Sequence, residues 1–459
     1  SALVPDFMGV GSRSTGVCTD LLNHFLESDF PSGRSLFLCL PFPASAKRRG
    51  RASKSGVSSD TVRRIFFLIR APPMPQFQKS KATVPLSLSL YRDDTAVLKA
   101  VAMLLIVAHN FLHLVAPAPA ENEFVFSSAE GIWRALAISV KFPGEIPHVL
   151  LSFFGHYGVV VFVFLSGYGL TRKLVAESPL TREGCTAWFI VGRQILKMVC
   201  LIAVGAFSAI LWRFATLGAE FSLSYEIKEL LKLLSFTNNL RPEALWGFVS
   251  VWWFFALIVQ LYLLFPLLTW GLRHNPTITT VLVFTALGSA EVFGPVFHGV
   301  ALYATPLTHA VVFLTGIWLG QGQTLPGHIF PWAWCVLLLS QFVSILFPVS
   351  FLAFLFCALD LWRRYGSRLS GNRLLVWFGG LSSFVFLVHG WLRYPVVQWL
   401  DKTQRMQFVS DGSFHSGLTL GVFGVWILAV VAAALLARQI YRPVFHWLDG
   451  RIFRSSAAL

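Results

Sequence analysis

The sequence predicts an all-α integral membrane protein, a bundle of about ten transmembrane helices whose termini both lie in the cytoplasm. Of the 459 residues, 55% are hydrophobic and 13% are charged, whereas a soluble domain has about 25% charged residues. The 16 Trp and 43 Phe suit lipid-facing surfaces and membrane interfaces. Apolar runs of about 20 residues, the length that crosses a bilayer, recur from Asp94 onward.

Residues 1–73 have a different composition, with Ser, Gly and Pro around a basic run, AKRRGRASK, and two short apolar pieces. Neither piece is long enough to span a bilayer, and the ordered zones of a signal peptide are missing. We expect a disordered basic extension or an artefact of start-site choice, with a basic arm for anionic lipid or nucleic acid as the alternative. Residues 74–96 are then a cytoplasmic lead-in, residues 97–440 the membrane domain and residues 441–459 a cytoplasmic tail.

Ten apolar segments are candidate spans, and the charges between them set their orientation. If the first segment begins in the cytoplasm, most Arg and Lys fall on inner loops, whereas the first outer loop holds Glu121, Glu123 and Glu130. Basic residues favour the cytoplasmic side, so both termini lie there and the number of spans is even. The segments are 97–116, 150–171, 187–212, 248–270, 277–296, 300–320, 329–347, 349–362, 374–395 and 415–437.

The net charge and the cysteines argue against two other classes of function. A net charge of +15 would suggest nucleic acid in a soluble protein, but here the basic residues follow the inner loops, and we expect no nucleic-acid partner. The six cysteines are scattered without a CxxC pair or a His/Cys cluster. The sequence therefore predicts neither a zinc site nor a disulfide framework.

Nine of the ionisable residues inside the predicted segments are singled out. Such a side chain is costly in lipid and generally faces protein or a water-filled cavity, so each one is a candidate for function. The nine are His109, His113, His156, Arg193, Lys197, Glu291, His309, Asp360 and His389.

Two histidines lie near the end of the first segment, LKAVAMLLIVAHNFLHL. His109 and His113 are four residues apart and so share one helical face. This spacing could hold a metal ion, but the segment has no carboxylate beside them, and we favour an acid/base or structural role. His113, nearer the outer interface, is expected to extend to the headgroups.

Two cations in the third segment, FIVGRQILKMVCLI, also lie four residues apart. Arg193 and Lys197 point into the bundle near the inner leaflet, an arrangement that suits an anionic ligand such as the phosphates of a nucleotide-like cofactor. The alternative is that both extend to the cytoplasmic headgroups. Lys197, roughly 15 Å into the segment by helical rise, fits that alternative poorly.

Four segments, in order, resemble the acyltransferase-3 family of bacterial membrane O-acyltransferases. LKAVAMLLIVAHNF resembles the first-span motif of a basic residue, an apolar run and a histidine. HYGVVVFVFLSGYGL, VWWFFALIVQLYLLFPLL and SSFVFLVHGWL are similar to the second-span phrase, the Trp-pair segment and the late histidine span. The resemblance covers residues 92 to about 440, and the order of the four segments is more specific than any one of them.

The resemblance implies a ten-span enzyme of the bacterial inner membrane that moves an acyl group, usually acetyl from cytoplasmic acetyl-CoA, to a hydroxyl of a surface carbohydrate. It implies no permanently bound cofactor; the partners are acyl-CoA, the carbohydrate acceptor and membrane lipid. By position, the catalytic residues are His109, Ser166 and His389, the donor-binding residues are Arg193, Lys197 and Lys99, and the substrate-binding residues are Trp252, Trp253, Tyr262 and Tyr168.

The chain departs from the family pattern at two basic positions. Nine residues separate Lys99 from His109 where the commonest pattern has ten, which turns Lys99 about 80° around an ideal helix. Lys99 is then a cytoplasmic anchor unless its long side chain restores the contact. Three residues separate Arg193 from Lys197 where the family has two arginines separated by two.

Several of these residues also suit a purely structural role. FLSGYG, which contains Ser166, suits close helix packing. Trp252 and Trp253 suit packing or an interface as well as sugar stacking, and His389 suits an interhelical hydrogen bond. A transporter or exporter of polysaccharide is the rival function, although no inverted repeat is visible. A structural subunit would leave the buried cations unexplained.

Overall fold

The computed structural model describes residues 86–118 apart from 88, the single positions 126 and 245, and residues 128–177, 183–241, 247–293 and 304–454. The expectations for residues 1–73 and for the side chain of Glu291 fall outside the described residues.

The described chain is almost entirely helical, in agreement with the predicted fold class. One antiparallel strand pair, β1 (Leu86–Ser87) with β2 (Thr324–Leu325), joins Leu86 to Leu325. The described helices are α1 (Arg92–Leu112), α2 (Glu130–Lys141), α3 (Ile146–Phe154), α4 (Gly158–Glu177), α5 (Glu183–Leu217), α6 (Leu223–Leu234), α7 (Trp253–His274), α8 (Pro276–Phe293), α9 (Pro306–Gly320), α10 (Ile329–Leu339), α11 (Phe347–Leu369), α12 (Arg373–Gly379), α13 (Ser382–Leu392), α14 (Tyr394–Asp411) and α15 (Ser416–Asp449).

Six helical segments in the described residues are long and apolar enough to cross a membrane, and a seventh is counted if the bent pair α12–α13 forms one span. The chain is therefore a multi-pass membrane protein, while the count of ten spans and the cytoplasmic termini stay predictions. The six segments are Arg92–Leu112, Pro143–Glu177, Thr186–Glu220, Ser250–His274, Ser344–Leu369 and Ser416–Ile452.

Each of the ten predicted segments falls on a helix, but several have other bounds. The segment predicted at 349–362 is too short, because α11 continues to Leu369. The segment predicted at 374–395 is broken: α12 and α13 meet at an angle of 67°. The predicted end of the membrane domain at residue 440 falls inside α15. Three other segments fall on shorter apolar helices, Pro276–Ser289, Pro306–Gly320 and Ile329–Leu339.

Three amphipathic helices, α2, α6 and α14, lie between the apolar segments and are not among the predicted spans. Each is too polar to be found by a search for spans. Two of them matter for the candidate site, because Glu145 lies in the turn between α2 and α3 and Arg393 lies between α13 and α14.

The helices α1 and α4 form the centre of the bundle. The apolar windows of Arg92–Leu112 and of Pro143–Glu177, the segment that contains α4, are 78% and 83% buried, whereas that of Ser416–Ile452 is only 22% buried. Two glycines let α4 and α9 touch: a Cβ on Gly167 would collide with the carbonyl of Phe313, and one on Gly316 with the carbonyl of Phe164. Gly167 of FLSGYG therefore serves close helix packing.

Candidate active site

His109 lies in the last turn of α1 and is fully buried. Its Nδ1 donates a hydrogen bond of 2.7 Å to the carbonyl oxygen of Ser152 in α3. Because a carbonyl only accepts, Nδ1 must carry the proton. In the neutral ring Nε2 then carries the lone pair, which is the form of imidazole that acts as a general base.

Two further histidines surround this ring. His113 stacks on His109 with centroids 4.7 Å apart and an interplanar angle of 12°, and His156 meets it edge-on at 5.5 Å. The Nδ1 of His113 donates to the carbonyl of His109 at 2.6 Å. The prediction that His113 extends to the headgroups is therefore wrong, because its ring folds back onto α1. No group of three His, Cys, Asp or Glu in the described chain is arranged to hold a metal ion.

The helix α3 fixes the end of α1 at a second point. His148 is buried one turn before Ser152, and its Nε2 donates to the carbonyl of Leu112 at 3.0 Å. Its Nδ1 lies 3.1 Å from Oε2 of Glu145. Oε1 of Glu145 accepts from the hydroxyl of Ser416 at 2.5 Å, which ties the start of α15 to the same cluster. Two hydrogen bonds therefore join α1 to one face of α3, from His109 to the Ser152 carbonyl and from His148 to the Leu112 carbonyl. Together they define the position of His109.

Arg393 follows α13 directly and is a residue that the sequence did not single out. Its side chain is only 1% exposed. Nη1 donates to the main-chain oxygen and to Oδ1 of Asn110 at 2.7 and 2.8 Å, and Nη2 donates to Oγ of Ser250 at 3.0 Å. Ser250 also shares a hydrogen bond of 2.7 Å with the hydroxyl of Tyr394. In the sequence Arg393 is a basic residue near the end of a predicted span, where an interfacial charge is ordinary.

His389 lies one turn before Arg393, with which it interacts electrostatically. It is fully buried, and its Nδ1 donates to the carbonyl of Phe386 at 2.8 Å. Its Nε2 has no hydrogen-bond partner among the described residues. The expected interhelical hydrogen bond is thus not seen there. Arg393 links the two predicted histidines, since it contacts Asn110 beside His109 and lies on the helical face of His389.

Three other predicted residues lie in the bundle interior. Lys99 is 1% exposed, so it cannot serve as a surface anchor. Ser166 is fully buried, and its hydroxyl has no hydrogen-bond partner in the described part of the chain. Tyr168 uses its hydroxyl to accept from the main-chain nitrogen of Leu90 at 3.0 Å.

The predicted sugar-stacking residues are buried in the bundle. Trp252, Trp253 and Tyr262 are each 2% exposed or less. Trp252 packs against Phe248 and Phe255, with ring centroids 5.4 and 5.6 Å apart. The structure therefore accounts for Trp252 by packing, and contact of these rings with a carbohydrate stays a prediction.

The predicted cation pair lies in a second polar cluster, formed by α4, α5 and the end of α15. Arg193 makes a bidentate ion pair with Asp449, with hydrogen bonds of 2.7 and 2.6 Å. Lys197 is fully buried, with Nζ 6.0 Å from the centroid of the Phe445 ring. Neither side chain reaches the surface, so the headgroup alternative is wrong for both.

The second cluster lies far from the histidines. Lys173, near the end of α4, interacts electrostatically with Arg193 and Lys197 and forms an ion pair of 3.5 Å with Glu177. His156 lies just before α4 begins. The two sites are therefore about 25 Å apart along α4, by a rise of about 1.5 Å per residue.

The close approach of Gly155 to α1 gives a prediction about the position of His109. A Cβ on Gly155 would lie 2.6 Å from Cβ of His109 and 2.5 Å from the carbonyl oxygen of Leu105. We expect Gly155→Ala to push α1 away, with about 1 to 3 kcal/mol of destabilisation and a loss of activity. Thermal unfolding in detergent and transfer activity measure the two effects. Gly421→Ala is the control, since nothing lies within 4 Å of that position; equal behaviour of both variants would contradict the prediction.

Comparison with known proteins gives one family. The acyltransferase-3 family model, which describes an acyltransferase domain, matches residues 95–438. No curated protein and no solved structure matches the chain significantly. The matched range includes His109, His389 and Arg393, and it includes Lys173, Arg193 and Lys197 of the cation cluster but not Asp449.

Proposed function

Because the chain belongs to the acyltransferase-3 family and is a membrane acyltransferase, we propose that it transfers an acyl group, acetyl from acetyl-CoA, to a hydroxyl of a cell-surface or exported carbohydrate. The observation that supports this most is the hydrogen bond from His109 Nδ1 to the Ser152 carbonyl. It holds the buried ring in the tautomer that takes a proton at Nε2.

The reaction then needs one base. His109 Nε2 accepts the proton of the acceptor hydroxyl while the hydroxyl oxygen attacks the thioester carbonyl carbon. An O–C bond forms, and the carbonyl oxygen becomes the oxyanion of a tetrahedral intermediate. Collapse of that intermediate breaks the C–S bond, and His109 returns the proton to the departing thiolate. The products are the carbohydrate ester and free CoA. His389, with the same tautomer, is a second group that can hold a proton in this step.

The cation cluster is the proposed site for the donor. Lys173, Arg193 and Lys197 lie within electrostatic reach of one another, together with the carboxylates of Glu177 and Asp449, so three basic side chains meet in one cluster. Such a cluster suits phosphate groups. A donor whose phosphates and thioester lie at opposite ends of a long molecule fits two sites about 25 Å apart.

The proposed acceptor site adjoins the histidines. Beside His156, the hydroxyl of Tyr157 donates to Ser350 and accepts from Gln341, both at 3.0 Å. Phe354 stacks on Tyr157 with centroids 5.0 Å apart. Neutral hydrogen-bonding groups beside aromatic rings suit a hydroxyl-rich ligand better than an anionic one. We place the enzyme in the bacterial inner membrane.

The function is tested in vesicles that contain the purified protein. Vesicles receive radiolabelled acetyl-CoA and a hydroxyl-bearing surface glycan, and label in the glycan is counted. We expect glycan labelling that requires the protein and disappears when the hydroxyls are blocked beforehand. Movement of glycan across the membrane without labelling would instead favour the transporter.

A further inference from the structure

Arg393 has an unusual set of partners for a buried arginine. Its guanidinium contacts the main chain and side chain of Asn110 and the hydroxyl of Ser250. None of the ion pairs among the described residues includes Arg393. Its Nε also lacks a hydrogen-bond partner there. The charge is therefore held in place by neutral groups and is not neutralised by a carboxylate.

A part of this charge is balanced by the end of α1. The last carbonyls of a helix carry a partial negative charge, and three of them in α1 accept from basic side chains: His113 on His109, Arg393 on Asn110 and His148 on Leu112. These contacts hold the end of α1 at three carbonyls. They do not explain why an arginine is used at this buried position, where a neutral donor would avoid the desolvation of a charge.

We propose that Arg393 is a positioning residue of acyl transfer, which holds the turn of α1 that carries His109 and supplies a fixed positive charge to the oxyanion of the tetrahedral intermediate. The inference rests on the proposed function. Three hydrogen bonds to two separate elements fix the guanidinium before the substrate arrives. A fixed charge in a water-excluded site stabilises developing negative charge far better than a mobile one.

The chemistry is balanced without any further reactant. The acceptor oxygen forms a bond to the acyl carbon, the carbonyl electron pair moves to the oxygen, and His109 holds the acceptor proton. The positive field of Arg393 lowers the energy of this state relative to the neutral thioester. When the C–S bond breaks, the oxyanion returns its electron pair and the charge of Arg393 is again balanced in part by the end of α1.

The test compares Arg393→Gln, Arg393→Lys and Arg213→Lys. Arg213 is the matched control because it is a partly buried arginine that is paired with a carboxylate, Glu226, at 2.5 Å. We expect Arg393→Gln to lower kcat about 100-fold, the scale of losing one oxyanion donor, with KM for acetyl-CoA within about threefold. Arg393→Lys keeps the charge and should recover part of this loss. Arg213→Lys should leave kcat within about threefold of wild type.

A binding measurement separates this role from a structural one. A trifluoromethyl ketone of coenzyme A, whose hydrate mimics the tetrahedral intermediate, should bind Arg393→Gln at least about 30-fold more weakly than wild type, while acetyl-CoA binds both alike. Equal weakening for both ligands, or equal kcat for the Gln and Lys variants, would overturn the charge role. If Arg393→Gln does not fold, the same two affinities, for the trifluoromethyl ketone and for acetyl-CoA, are compared between Arg393→Lys and wild type. Failure of wild type to bind acetyl-CoA would reject the proposed function instead.

Discussion

Replacing His109 with asparagine is expected to lower kcat for acyl transfer by about 10²–10⁴-fold, the usual contribution of a general base. Asparagine can still donate to the Ser152 carbonyl, so the contact between α1 and α3 is kept while the base is removed. KM for acetyl-CoA should change little, because the proposed donor site lies about 25 Å away along α4. Radiolabel transfer in vesicles measures both constants.

The neighbouring histidine provides the control for this prediction. His113 stacks on His109 but is only half-buried and bonds the main chain of its own helix. His113→Asn should therefore retain most activity. The assignment of His109 as the base would fail if His109→Asn, with an unchanged unfolding temperature, transferred label at a rate close to that of wild type.

Replacing Asp449 with alanine is expected to cost about 3 to 5 kcal/mol of stability, because it leaves the buried charge of Arg193 without its carboxylate. The ion pair is bidentate, and both side chains are at most 5% exposed. Unfolding in detergent should begin at a clearly lower temperature. Glu130→Ala is a control, since that carboxylate is paired with the exposed Arg134 at the surface, where such pairs contribute about 0 to 1 kcal/mol.

A double substitution separates the structural role of this pair from donor binding. Arg193→Met with Asp449→Leu removes both charges, and a packed apolar pair is often as stable as a buried ion pair. We expect stability near that of wild type, but a higher KM for acetyl-CoA if Arg193 helps to hold the phosphates. An unchanged KM in a stable double variant would restrict Arg193 to a structural role and leave Lys173 and Lys197 as the cations for the donor.

Much of the candidate site could be predicted because lipid makes charged groups costly. His109, His389, Arg193 and Lys197 each stood out as an ionisable residue in an apolar run, and all four are buried. Arg393 could not be found in this way, since a basic residue at the end of a span looks like an interfacial charge. Its buried position is decided by packing against Asn110 and Ser250, two partners that are distant in the sequence.

Local composition determined that this protein is a multi-pass helical membrane protein, because the hydrophobic length of a segment is a property of its own residues. The order of four motifs identified the acyltransferase-3 family in the same way. Only the tertiary structure decided which partners the ionisable residues have: Ser152 for His109, Asp449 for Arg193, and Asn110 with Ser250 for Arg393. Ser152 lies 43 positions from His109 along the chain, and Asn110 lies 283 positions from Arg393. A hydrogen bond joins atoms about 3 Å apart in space, and the separation of two residues in the sequence does not show whether their side chains come that close.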